Sequence, residues 1–420
     1  MDSLAPAKIR ARGHNCSVMV VAMAYDVARV RGLFPSLGDG WIHLEPQAGM
    51  QIPDAVASTV SKAFRGLVSA PGGVYPAAQQ SAAIVEAARL AIGDLLGCDP
   101  AGVVLGPSRG QLIGVLAEAM GSRLGLGREV IVSRLDDEAN VAPWIRTADL
   151  YGAGVKWVEV DIEDGQVPAW QFAQLVSPAT SLMAVTLASS VIGTMVDVKA
   201  AADAVHSVGA LLVLDATNAA PYLGLDMADL HADVVIVSAE RWGGPRAAAM
   251  AFRDPSLIER LRPMSLDPTA RGAARLEVEP NQHAMLAGMV ASVEYLAGLD
   301  DEATGTRRQR LVQSMDSLAD YQQRLLYYLI NSLEQLNSVR VIGRAPMRVP
   351  TVSFTVAGIS GDKVVRRLAD NGICALADVP SRLLSVLGVG DVGGAVTIGL
   401  GPYSTPYEVD QLVRALGSLG

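Results

Sequence analysis

Val235-Ile236-Val237-Ser238-Ala239-Glu240-Arg241-Trp242-Gly243-Gly244-Pro245 begins as a β-branched apolar run, passes through a short polar stretch and ends in a Gly-Gly-Pro turn. Consecutive Val and Ile suit a buried strand, and Gly-Pro is a chain-reversal signal. Arg241 therefore stands just past a strand end. In an open, mainly parallel sheet, ligands sit in the crevice at the carboxyl ends of the strands. The residues at that edge carry the functional reading.

Comparable apolar runs lie on both sides, at residues 103–105, 130–132, 155–160, 183–186, 210–215 and 248–252, with 234–237 as the seventh. Segments 84–96, 111–120 and 198–206 between them place apolar residues at helical spacing. Strands that are apolar throughout and alternate with helices predict a mainly parallel sheet covered on both faces. The pattern changes across 255–280, which is rich in Pro, Arg and Glu. Beyond it the periodicity predicts helices over 284–296, 309–336, 363–371 and 407–416, and strands over 351–356, 373–375 and 395–400. That is an α+β carboxy-terminal unit.

The bulk composition excludes several classes. Half of the 420 residues are apolar and 18% are charged, which suits a folded chain with a large core. The net charge is −9 and the 34 Lys and Arg are dispersed, so no nucleic-acid surface is expected. No stretch approaches the ~20 apolar residues of a membrane-spanning helix. Lys8, Arg10 and Arg12 precede the short apolar run 18–24, but Asp26 follows closely, against a secretory signal. Cys16, Cys98 and Cys374 form no C-x-x-C pair, and a reducing cytosol without disulfides is expected. His14, His43, His206, His231 and His283 show no metal-ligand spacing, and no metal is expected. Cys374 falls inside a presumed strand and reads as buried filler.

Four further segments share a pattern with the opening one. Leu105-Gly106-Pro107-Ser108-Arg109-Gly110-Gln111 joins a strand to a helix, whose free N–H groups favour an anion. Leu212-Val213-Leu214-Asp215-Ala216-Thr217-Asn218 ends a strand in a carboxylate. Ser238 opens the turn before Arg241, and Gly399-Leu400-Gly401-Pro402-Tyr403-Ser404-Thr405-Pro406-Tyr407-Glu408-Val409 lies near the end of the chain. In this order and spacing they resemble the class V aminotransferases and cysteine desulfurases, enzymes of pyridoxal phosphate (PLP) with the type I fold. The resemblance spans about 23–419. It implies that the phosphate sits at the start of the helix carrying Arg109 and Gly110, that Ser238 contacts it, that Asp215 pairs with the pyridinium nitrogen, and that Asn218 helps line the cofactor.

The departures from the family pattern are concentrated in that same region. The family's Schiff-base Lys is Arg241 here, and a guanidinium has no free amine to condense with an aldehyde. The phosphate-facing His before it is Glu240. In Ser133-Arg134-Leu135-Asp136-Asp137-Glu138, a carboxylate stands where relatives stack an imidazole on the ring. The Gly-Thr that reaches a phosphate across the dimer is Glu279-Pro280, and proline supplies neither hydroxyl nor N–H. Thr397 occupies the position of the Arg that clamps a substrate carboxylate, and the loop after 373–375 lacks the desulfurase nucleophile. A phosphate beside such carboxylates is repelled. At an effective dielectric of about 20, two unit charges ~4 Å apart interact by about 4 kcal/mol, roughly three decades of affinity. Arg109 and Arg241 are expected to pair with Asp137 and Glu240, but Glu240 and Arg241 are adjacent, point differently and need not pair with each other. None of the five lysines, Lys8, Lys62, Lys156, Lys199 and Lys363, follows a strand where a replacement is needed. Gly388-Val389-Gly390-Asp391-Val392-Gly393 satisfies G-x-G-x-x-G but precedes a strand, the wrong context for a dinucleotide loop.

These readings define the expectation. The fold is α/β, a type I PLP-transferase fold with a mainly parallel seven-stranded sheet and a smaller α+β domain. Residues 1–22 form an extension, 23–45 a segment packing on the small domain, 46–285 the large domain, and 286–420 the small domain with its long linking helix. The chain is a cytoplasmic homodimer, a pseudoenzyme or repurposed protein without covalent cofactor, taking a small amino-acid-like ligand. Should PLP bind, Arg109, Gly110, Asp137, Asp215, Asn218, Ser238, Glu240 and Arg241 would line it. The alternative is an aminotransferase or C–S lyase of amino-acid metabolism that holds PLP non-covalently on Asp215 and Ser238.

Overall fold

The computed structural model describes residues 25–66 and 69–419; the extension expected over 1–22 lies outside them. After a short helix, Val27–Arg31, comes a two-residue strand, β1 (Ile42–His43). A seven-stranded sheet follows, made of β2 (Val103–Gly106), β3 (Glu129–Ser133), β4 (Gly154–Val158), β5 (Thr180–Thr186), β6 (Leu211–Asp215), β7 (Val234–Ser238) and β8 (Ala248–Phe252). Its order is β2-β8-β7-β6-β5-β3-β4. β8 runs antiparallel to both neighbours and every other pairing is parallel. The mainly parallel sheet expected from continuous apolar runs is thus present, with one reversed strand.

Side chains alternate between the two faces of this sheet, as the pleat requires. Ile131, Met183, Leu212, Leu214, Val235 and Val237 enter one core, which is closed by helices Pro76–Leu96, Val198–Ser207 and His283–Ala297. Val130, Val132, Val213 and Ile236 enter the other, against helices Arg109–Ala119 and Glu138–Tyr151. With both faces buried, the strands read as unbroken apolar runs in sequence.

A third core belongs to the carboxy-terminal part. Leu325, Leu329 and Leu333 of the long helix Arg307–Glu334 pack on a four-stranded antiparallel sheet. The remaining strands are β9 (Val339–Ile342), β10 (Thr351–Val356), β11 (Ile373–Cys374), β12 (Leu376–Ala377) and β13 (Val396–Gly399), and the sheet order is β12-β13-β10-β9. The single strand expected over 373–375 is two: β11 pairs with β1, while β12 pairs with β13. Ala375 lies between them, where the chain leaves one sheet for the other. The amino-terminal segment connects both regions. Leu44 is wholly buried in the third core, and the Met50 N–H donates to the Glu240 carbonyl at 3.1 Å.

Candidate functional site

Strand ends bring the singled-out residues to one edge of the large sheet. β6 ends at Asp215 and its neighbour β7 ends at Ser238. Arg109 opens the helix after β2, capped by Ser108, whose Oγ accepts from the Gln111 N–H at 3.3 Å. Asp137 stands at the N-cap of the helix after β3 and makes no capping hydrogen bond. Gly110 lies against the start of that helix: a Cβ there would meet Ala139 at 3.8 Å.

Arg109 is the centre of the polar network. Its Nη1 donates to Asp215 Oδ2 at 2.6 Å and its Nη2 to Asp137 Oδ2 at 2.9 Å. Burial opposes the guanidinium charge, but Asp215 and then Asp137 outweigh it and raise its pKa above the ordinary value. The other Asp215 oxygen accepts from the Thr217 N–H at 3.0 Å, so neither oxygen is left without a donor. Ser238 Oγ donates to Glu240 Oε2 at 2.9 Å. Asn218 is buried and donates to the Ala188 carbonyl at 3.3 Å.

Of the two arginines, one forms an ion pair here, and Glu240 and Arg241 point apart as their adjacency implies. Arg109 meets Asp137. Arg241 forms no ion pair with Glu240, because adjacent residues point apart and Glu240 turns back to Ser238. Arg241 Nη1 is instead buried without a hydrogen-bond partner. Burial first, then the nearby Arg109 charge, push the Arg241 pKa down. Asp136, beside this network, is fully buried; it accepts from Asn140 Nδ2 at 2.6 Å and from the Thr186 N–H at 3.0 Å. Its pKa is raised well above the usual carboxylate range, chiefly by burial.

The other departures also have definite places. Thr397 is wholly buried, with its Oγ1 2.8 Å from Ser353 Oγ. Glu279 and Pro280 are exposed. Glu138 pairs with Arg382 of the carboxy-terminal part. Arg348 is held by backbone: its Nη2 donates to the carbonyls of Ile192 at 2.6 Å and Thr351 at 3.2 Å. Cys374 does lie in a strand, but it is half-buried and faces His43 and Glu45 rather than filling a core.

Some groups escaped the sequence reading. Gln47 Nε2 donates to the Thr397 carbonyl at 3.2 Å, and its Oε1 is buried without a partner. Thr217 Oγ1 is likewise enclosed and unpartnered. Thr217 could have been found from its position just past β6; Gln47 follows β1 in no recognisable motif. Gly106-Pro107-Ser108-Arg109-Gly110 also satisfies the G-x-S-x-G spacing of a nucleophile elbow. Ser108, however, has extended backbone angles and its hydroxyl caps the helix.

The PLP fit can be judged from these contacts. The ring nitrogen needs a carboxylate, but each Asp215 oxygen already accepts a hydrogen bond, one from Arg109 and one from Thr217. A hydroxyl has a single proton to donate, and Ser238 gives its proton to Glu240. Asp137 Oδ1 is buried and unpartnered, an acceptor where a phosphate needs donors. The residues present do not fit the cofactor in the way the resemblance implied.

The architecture is nonetheless that of the type I PLP-transferases. The class V aminotransferase family model matches residues 42–412, and the chain belongs to that family. It is 57% identical over 398 residues to an uncharacterized protein of Mycobacterium tuberculosis, covering 95% of this chain and 100% of the relative. It is 29% identical to the aminotransferase-like protein FGM3 of Gibberella zeae, covering 94% and 98%. The crystal structure of the cysteine desulfurase CsdA from Escherichia coli superimposes with a TM-score of 0.80 at 24% identity, covering 94% and 98%.

Proposed function

We propose that this chain is a repurposed member of its family, without covalent PLP, whose cleft binds a small carboxylate-bearing ligand of amino-acid type. The carrying observation is the Arg109 guanidinium lodged between Asp215 and Asp137. It takes up the carboxylate that the electron sink would need. Arg241 supports the same reading, since its unpartnered Nη1 is a ready donor to a ligand carboxylate. Non-covalent PLP chemistry is disfavoured because its two anchors, Asp215 and Ser238, are both engaged. The family resemblance further suggests a homodimer. Among the described residues no helix is long and apolar enough to cross a membrane, in keeping with the proposed cytosolic location.

The test is direct. The purified chain is incubated with PLP, dialysed, and treated with borohydride. No persistent, reducible visible band is expected; such a band would overturn the proposal. Calorimetric titration with amino acids and dicarboxylates should find a ligand whose binding is lost in Arg241→Gln. Equal binding by the variant would remove Arg241 from the site.

A further inference from the structure

Away from that cleft, β1 and β11 lie side by side in parallel register, with His43 opposite Cys374. The ladder continues one residue further, as the Leu44 N–H donates to the Cys374 carbonyl at 3.2 Å. Side chains alternate along a strand. Leu44 is wholly buried in the carboxy-terminal core, so His43 and Glu45 face the opposite way, toward Cys374. One nitrogen of His43, one oxygen of Glu45 and the Cys374 sulfur all lie within 4.8 Å of one another.

We propose that His43, Glu45 and Cys374 form a divalent-metal site suited to Zn2+. Imidazole, carboxylate and thiolate make up the zinc donor set, with bond lengths near 2.0–2.3 Å, and three protein ligands with a water complete a tetrahedron. Glu45 Oε1 is 3.1 Å from His43 Nδ1, which makes Nδ1 the ligating nitrogen. Behind the ring, Asp39 Oδ2 is 3.1 Å from Nε2. A carboxylate at that place accepts the Nε2 proton and orients the ring with Nδ1 free to ligate. Glu45 Oε2 is buried without any hydrogen-bond partner, an acceptor with nothing to receive. Gln51 Nε2, 3.3 Å from Nδ1, would give up that contact to the metal. The side chains of His43 and Glu45 are 12% and 20% exposed, shielded yet open to an ion from solvent. Bound metal would fasten β1 to β11, and so fasten the segment reaching the cleft through Met50 and Glu240 to the carboxy-terminal part of the chain. The ligands stand too far apart in sequence for any spacing motif to reveal them.

The full-length chain is equilibrated with Zn2+, desalted into metal-free buffer and assayed for metal by mass spectrometry. One zinc per chain is expected. Cys374→Ser and His43→Gln should each weaken binding at least tenfold, and Asp39→Asn about tenfold, through loss of the group that orients the ligand. Co2+ bound to the wild-type chain should show a thiolate-to-cobalt charge-transfer band, and Zn2+ should slow alkylation of Cys374 but not of Cys98. The cobalt spectrum needs no variant, so misfolding of a variant leaves the test intact. Failure of the wild-type chain to retain zinc, a cobalt spectrum lacking the sulfur band, or unchanged affinity in Cys374→Ser would overturn the proposal.

Discussion

At the scale of single residues, the candidate cleft is a problem in charge balance. Two guanidiniums, Arg109 and Arg241, stand among three carboxylates, Asp137, Asp215 and Glu240. Arg109→Ala leaves Asp215 wholly buried and without its counter-ion. Removing one partner of a buried pair typically costs about 3–5 kcal/mol. Urea denaturation should show a loss of that size, and adding Asp215→Asn should restore part of it. Asp136 gives a pH signature. Burial raises its folded pKa above the unfolded value, so its contribution to stability is fully present below the unfolded pKa. It is lost as pH rises through the higher folded value. Asp136→Asn should therefore flatten the decline in stability with rising pH, because a neutral amide can accept from Thr186 and donate to Asn140 Oδ1, now unpartnered. An unchanged slope in urea midpoints from acid to neutral pH would count against this. Arg241→Lys restores an amine but neither frees Asp215 nor removes Glu240. Its borohydride-treated form should carry no reduced PLP adduct by intact-mass measurement.

At the scale of elements, a glycine fixes how the carboxy-terminal sheet meets the large one. Gly193 has φ 71°, and a Cβ there would press on the carbonyls of Val349 and Thr351. Its carbonyl accepts from the Val349 N–H at 2.9 Å, and Ser353 Oγ of β10 donates to the Val191 carbonyl at 2.8 Å. Gly193→Ala should destabilise by at least about 2 kcal/mol, from left-handed strain plus the clash, seen as a lower thermal midpoint. The seven strands of the large sheet were legible because burial on both faces leaves a continuous apolar run. β9 was not, because Val339-Arg340-Val341-Ile342 is a half-exposed edge. The helix Glu138–Tyr151 escaped because Pro143 lies inside it. Within the cleft, the residue types and their strand-end positions could be read. The pairing of Arg109 with Asp137 was also legible, but Arg109 and Asp215 meet only through the strand order, and the turn of Glu240 toward Ser238 is a choice of rotamer.

At the scale of the whole molecule, several large apolar side chains stay exposed in the single chain. Phe64 is 52% exposed, Tyr75 52%, Val74 91% and Val278 65%. Phe64 also borders a cavity of about 240 Å3, with Ile84, Gln282 and Ala287. Val278 also adjoins Glu279-Pro280, the segment that the family resemblance puts across a dimer boundary. Exposed apolar side chains beside such a segment suit an association site, since covering them removes unfavourable hydration. A two-fold dimer presents the same patch twice, so one substitution places two charges in the contact. Val278→Glu combined with Phe64→Glu should therefore convert the dimer proposed here to a monomer in sedimentation velocity. Both positions are solvent-exposed in the single chain, so far-UV circular dichroism should not change. A wild-type chain that sediments as a monomer at micromolar concentration would remove the dimer, and a double variant that still dimerises would move the interface to another face.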